Sequence, residues 1–167
     1  MAETKTLDIL KGAILLENRG KSLYESVVKS SESEGVQELF AILSREEDKH
    51  IDVLTKQFSL ISKGESFDVA ELEKEQASPH EAVITDEIVK SISAAGYEAA
   101  VIAAALGFEK NAVKFYSEHA SGAESEDEKK LYSWLTEWEK NHMLMLARLD
   151  NELKEKIWYD NQFWPLD

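Results

Sequence analysis

The feature that most constrains this chain is a doubled chemical pattern. Glu17, Glu47 and His50 recur 92 positions later as Glu109, Glu139 and His142. Each copy places a lone glutamate on one helix-like stretch and a Glu-x-x-His on the next, supplying oxygen and nitrogen donors suited to iron or manganese. The same shift carries Ala13 to Ala105, Tyr24 to Tyr116, Ser33 to Ser125, Leu43 to Leu135 and Leu54 to Leu146. Turn, core and candidate ligand positions therefore repeat together, as they would in a helix pair used twice.

The periodicity supports that reading. From about 6–28, Leu7, Leu10, Ala13, Ile14, Leu23, Tyr24 and Val27 fall at three-and-four spacing, the mark of a helix with one buried face. This helix is predicted to end near Ser30, where the cluster 30–35 turns the chain and Ser33 supplies an N-cap for a second helix. That helix runs to about Ser62, with Lys63-Gly64 as its stop. A third long helix is predicted over about 97–118, and Ser125, with Glu128 three residues on, caps a fourth that reaches at least Lys154. Between the two hairpins, 65–95 reads as an irregular crossover with a short acidic helix near 69–76, a break at Ser78-Pro79 and another short helix around Ile88. The predicted fold is all-α: a four-helix bundle over roughly 6–153, made of two helical hairpins joined by one long crossover, in a single domain spanning 1–167. An aromatic tail over 155–167, with Trp158, Tyr159, Phe163, Trp164 and Leu166, is expected to cap the bundle or to grip a second subunit.

The acidic pattern lies inside the apolar stripes. On the second helix, Val36, Phe40 and Leu43 lead into Glu47 and His50 and then Leu54, Phe58 and Ile61; on the fourth, Tyr132 and Leu135 lead into Glu139 and His142 and then Leu146 and Leu149. Glu17 follows Leu10 and Ile14, and Glu109 follows Ile102 and Leu106. Burying a carboxylate without compensation costs several kcal/mol, too much for ordinary stability to absorb four times. Either most of these groups are protonated, with raised pKa values, or cations sit among them; two divalent ions would balance four carboxylates. The heights agree as well. Glu17 and Glu47 are 30 residues apart with a turn midway, as are Glu109 and Glu139, so all four can meet at one level of the bundle.

Bulk composition narrows the alternatives. A formal charge of -14 leaves no basic surface for nucleic acid and disfavours anionic membranes. With no cysteine, disulfides and thiolate metal sites are excluded. The longest apolar run, 99–108, is too short to span a bilayer, and a cytoplasmic location is the expectation.

On these six residues and their spacing the chain resembles the rubrerythrins, within the ferritin-like di-iron carboxylate superfamily, as a member without the rubredoxin module. The resemblance covers the whole bundle. It implies two iron ions, with manganese or a mixed pair as alternatives, bound by Glu17, Glu47, His50, Glu109, Glu139 and His142, with Glu47 and Glu139 bridging. It also implies reduction of hydrogen peroxide or oxygen by a diferrous centre supplied by an external electron donor protein, in a homodimer. The alternative is oxidation of ferrous ion for iron storage or delivery, as in ferritins and bacterioferritins. Where rubrerythrins usually carry an extra carboxylate one turn after the third-helix glutamate, this chain has Ala112.

Other residues carry weaker expectations. Tyr24 and Tyr116, seven residues after Glu17 and Glu109, are placed to hydrogen-bond a liganding carboxylate, to supply an electron, or to pack as core tyrosines. Glu46, Asp48, His80 and His119 are expected at the surface. Trp134 and Trp138 are expected in the core, with shielding of the centre or packing at an interface as the other readings, and Met143 and Met145 as packing rather than haem ligands.

Overall fold

The computed structural model describes residues 2–74, 86–92 and 96–160. Among them are five α-helices: α1 (Ala2–Ser30), α2 (Glu34–Ser62), a short α3 (Asp86–Ser91), α4 (Tyr97–Ser121) and α5 (Glu126–Asp160), with a single 3-10 turn at Leu72–Lys74. Helix α1 packs along α2 and α4 along α5, and the two hairpins meet through α1 against α4. This is the expected all-α, ferritin-like bundle.

The turn chemistry is what the sequence predicts. Ser33 Oγ accepts the Val36 amide at 3.3 Å at the start of α2, and Ser125 Oγ accepts the Glu128 amide at 3.1 Å at the start of α5. Glu128 reaches back to the Glu124 amide at 2.9 Å, one residue before the cap itself. Gly64 closes α2 at φ 75, a left-handed conformation that costs glycine nothing.

Two elements differ from expectation. Of the predicted acidic helix near 69–76, the described part, up to Lys74, holds only the 3-10 turn; Val69 and Leu72 are buried, and Gln57 holds this segment with both ends of its amide, on the Asp68 amide at 2.9 Å and the Asp68 carbonyl at 2.7 Å. The fourth long helix continues to Asp160, so Trp158, assigned to the tail, is an exposed helical residue. No proline or glycine interrupts 126–160, and the pairs Arg148–Glu152 and Lys154–Asp150 brace successive turns. Phe163, Trp164 and Leu166 lie outside the described residues.

The core is divided. One apolar cluster gathers Tyr24, Leu43, Ala105 and Leu146, among others; a second gathers Tyr116, Leu135, Ala13 and Leu54. These sets are exchanged by the 92-residue shift, so the pseudo-twofold relation between the hairpins swaps the two ends of the core and passes through the layer between them. That layer holds the buried glutamates and histidines.

Tyr132, in the second cluster, has its hydroxyl buried with no hydrogen-bond partner among the described residues. Tyr132→Phe removes that desolvated group at little loss of packing and is expected to stabilise the protein by about 1 kcal/mol. Thermal denaturation should show an increase of roughly 2–4 °C; a decrease would mean the hydroxyl has a partner.

Candidate metal centre

All six sequence-predicted residues reach the middle layer, and each is 1% exposed or less. Glu17 comes from α1, Glu47 and His50 from α2, Glu109 from α4, and Glu139 and His142 from α5. They form two overlapping groups, Glu17, Glu47, His50 and Glu139, and Glu47, Glu109, Glu139 and His142, each able to present ligand atoms within 4.8 Å of one another. Glu47 and Glu139 belong to both.

The shared carboxylates are turned in a specific way. Glu47 points Oε2 toward His50 Nδ1 and Oε1 toward His142 Nδ1, both at 3.5 Å. Glu139 does the same with Oε1 at 3.0 Å from His50 Nδ1 and Oε2 at 3.4 Å from His142 Nδ1. Glu17 Oε2 lies 3.1 Å from His50 Nδ1 and Glu109 Oε1 3.5 Å from His142 Nδ1. Each group thus has one imidazole, one carboxylate of its own and one oxygen from each shared carboxylate. A profile of the Rubrerythrin family matches residues 8–150. The chain belongs to the rubrerythrin family. Among curated proteins and among solved structures, no significant match is found.

As in any rubrerythrin, the question is whether these residues suit a metal. Both oxygens of Glu47, both of Glu139 and Oε2 of Glu109 are buried without an aligned hydrogen bond among the described residues. Five desolvated oxygens around two imidazoles are costly without a cation and natural with one. The cluster fits.

Without a cation the electrostatics show the strain of the arrangement. Burial, then repulsion from Glu139 and Glu17, pushes the Glu47 carboxyl well above the usual range. Burial and Glu139 raise Glu109 to about 8, with His142 partly offsetting them. Burial alone would lower both imidazoles, but Glu139 chiefly for His50, and Glu109 chiefly for His142, raise them well above their ordinary value. Glu139 goes the other way: burial would raise it, yet His50 and His142 hold it well below.

The tyrosines do contact the cluster, across the hairpin interface. Tyr24 donates its hydroxyl to Glu109 Oε1, and Tyr116 donates to Glu17 Oε1. Each phenol comes from one hairpin and holds the unshared glutamate of the other. Burial and the neighbouring carboxylates push both phenols well above their ordinary pKa, so they remain donors.

Glu46 corrects the expectation of a solvated residue. It is buried, and His142 Nε2 donates to Glu46 Oε2 at 2.7 Å. The signal was present in the spacing: Glu46 follows Leu39 by seven residues and Leu43 by three, and precedes His50 by four, so it lies on the side of α2 that faces α5. Asp48 is exposed, as expected, and pairs with Lys21. His119 is not a free surface residue: it is half-buried against Phe115 and Tyr132, with ring centroids at 4.4 and 5.7 Å. His80 lies outside the described residues.

Trp134 and Trp138 fit the core reading and the shielding reading together. They pack into the bundle, and both approach the His50 ring edge-on at 5.6 and 5.5 Å, so they also cover one side of the centre. Met145 is buried in the first apolar cluster and Met143 packs against it.

Proposed function

We propose that this rubrerythrin-family protein is a non-haem di-iron oxidoreductase that reduces hydrogen peroxide or oxygen with electrons from an external donor protein. The observation that carries the proposal is the orientation of Glu47 and Glu139, each offering one oxygen to each of two adjacent positions. Glu17 and His50 would complete one position, Glu109 and His142 the other. A pair of ferrous ions held there supplies two electrons at one locus, enough to convert one peroxide and two protons into two waters.

The protein's part is to hold and insulate. Tyr116 and Tyr24 fix Glu17 and Glu109 through one oxygen each and retain their protons at Oη. The two apolar clusters close the layer from both ends, so charge at the centre is felt in a medium of low polarity. These 167 residues contain no cysteine to form a four-cysteine iron site, so in this reading the electrons come from outside them.

The test is an anaerobic titration of the ferrous-loaded protein with hydrogen peroxide. One peroxide should be consumed per pair of ferrous ions, with renewed consumption on adding a reductant. Iron retained far beyond two ions per chain after repeated ferrous additions, with no sustained peroxide turnover, would favour iron storage. Absence of any peroxide reaction in protein shown to hold two iron ions would overturn the oxidoreductase reading.

A further inference from the structure

The internal repeat fails at one position beside the centre. The 92-residue shift that maps His50 onto His142 maps Glu46 onto Trp138, so an acidic residue in one half corresponds to an indole in the other. The two histidines consequently have different surroundings on the side facing away from the shared carboxylates. His142 Nε2 donates to Glu46 Oε2 at 2.7 Å, and both residues are buried. His50 Nε2 is buried with no hydrogen-bond partner among the described residues, and its ring is flanked by Trp134 and Trp138.

This difference acts on ligand quality. A carboxylate accepting the outer N–H of a ligating imidazole fixes the tautomer, holds the ring in place and increases the basicity of the ligating nitrogen; removing such a partner typically costs 10–100-fold in metal affinity. For His142 the proton on Nε2 is held by Glu46, leaving Nδ1 to face the cluster. For His50 the same tautomer must keep an N–H in apolar surroundings with nothing to accept it, which carries a desolvation cost. Glu46 also adds an acidic group close to one position only.

We infer that the two positions are unequal: Glu46 makes the Glu109–His142 position the tighter one, filled first, and the Glu17–His50 position, backed by tryptophan, is the weaker and more readily emptied. Glu46 is a positioning residue, acting through His142. The inference rests on the metal-binding reading of the cluster, and the experiment separates the two.

The probe is Co²⁺, added anaerobically to the metal-free protein and followed by visible absorption and calorimetry. Two resolved steps are expected, about 10–100-fold apart in affinity. Anomalous diffraction from crystals prepared with one equivalent of Co²⁺ should place the ion between Glu109 and His142. In Glu46→Gln the tighter step should weaken by about the same factor while the weaker step is retained, drawing the two together. Two equal steps in the wild-type protein, first occupancy beside His50, or an unchanged Glu46→Gln isotherm would each overturn the inference while leaving the metal centre standing. No Co²⁺ in the middle layer at all would remove the metal-binding reading and this inference with it. The wild-type diffraction result decides the order of filling even if the variant fails to fold.

Discussion

Metal-free protein given two equivalents of Mn²⁺ at neutral pH should melt roughly 10–20 °C higher and release protons, up to about four per chain. The thermal shift follows from linkage. An ion at a free concentration of 100 times its dissociation constant stabilises the folded state by about 2.7 kcal/mol, and two positions together by about 5 kcal/mol. For a chain of this size each kcal/mol moves the midpoint by about 2–4 °C. The proton count follows from the electrostatics of the empty layer. Glu47 and Glu109 are raised toward protonation, Glu109 to about 8, and His50 and His142 are raised well above their ordinary value. Carboxylates and imidazoles must give up those protons to coordinate.

The same shifts set the sign of the pH dependence. All four groups have folded-state pKa values above their unfolded values of 4.5 for the glutamates and 6.5 for the histidines. The folded state therefore binds more protons than the unfolded one over this range, and stability of the metal-free protein declines as pH rises through it. Glu109 alone places such a decline between 4.5 and about 8. Glu139, held well below 4.5, opposes this only at lower pH, where the stability it contributes is lost as it protonates. With Mn²⁺ present, deprotonation favours binding, so the shift on adding metal should widen from acid to neutral pH. Thermal midpoints measured across pH with chelator and with Mn²⁺ would show two curves diverging. Parallel curves, or calorimetry in several buffers giving fewer than about one proton per chain, would contradict the idea that cations replace protons in this layer.

Much of this centre was legible because its residues break rules in a regular way. A glutamate inside an apolar stripe is anomalous once; Glu17, Glu47, Glu109 and Glu139 at matched depth in four stripes indicate a common purpose, and all four are buried together. The turns were readable from local chemistry, since Ser33, Ser125 and Gly64 act through contacts within a few residues. What escaped depends on packing between elements. The seven-residue spacing put Tyr24 on the face of Glu17, but its hydroxyl serves Glu109 on the other hairpin, a pairing 85 residues apart that no helical period encodes. Glu46 reads as a surface residue beside the stripe that contains Glu47, whereas a bundle helix touches two neighbours and buries a wider arc that includes Leu39 and Glu46. The crossover was least legible. Its described part is secured by a few anchors, Gln57 on Asp68 and the contact of Ser33 Oγ with Ser91 Oγ at 2.9 Å, which come from the bundle rather than from the segment's own periodicity.

Glu47→Met should make the metal-free protein more stable, by about 1–3 kcal/mol, and make it nearly indifferent to added metal. The two effects have one origin. In the empty layer Glu47 has neither oxygen in an aligned hydrogen bond, while burial and the charges of Glu139 and Glu17 oppose its ionisation. Its side chain therefore contributes a desolvation cost that two contacts to imidazole nitrogens at 3.5 Å offset only in part, and methionine, of similar length and flexible enough to fill the same space, removes that cost. Glu139 is a poor choice for the same experiment, because His50 and His142 depend on it and would be left as buried charges. With metal present the balance reverses: Glu47 is one of two carboxylates facing both positions, so its loss takes a donor from each. Glu17→Met provides the contrast. It takes a donor from the weaker position and leaves the Glu109–His142 group whole, so more than half of the Mn²⁺-induced thermal shift should remain. Should Glu47→Met instead unfold the metal-free protein while a full Mn²⁺ shift survives in what folds, Glu47 would be a structural hydrogen-bonding group and the oxygens facing the two imidazoles would need another explanation.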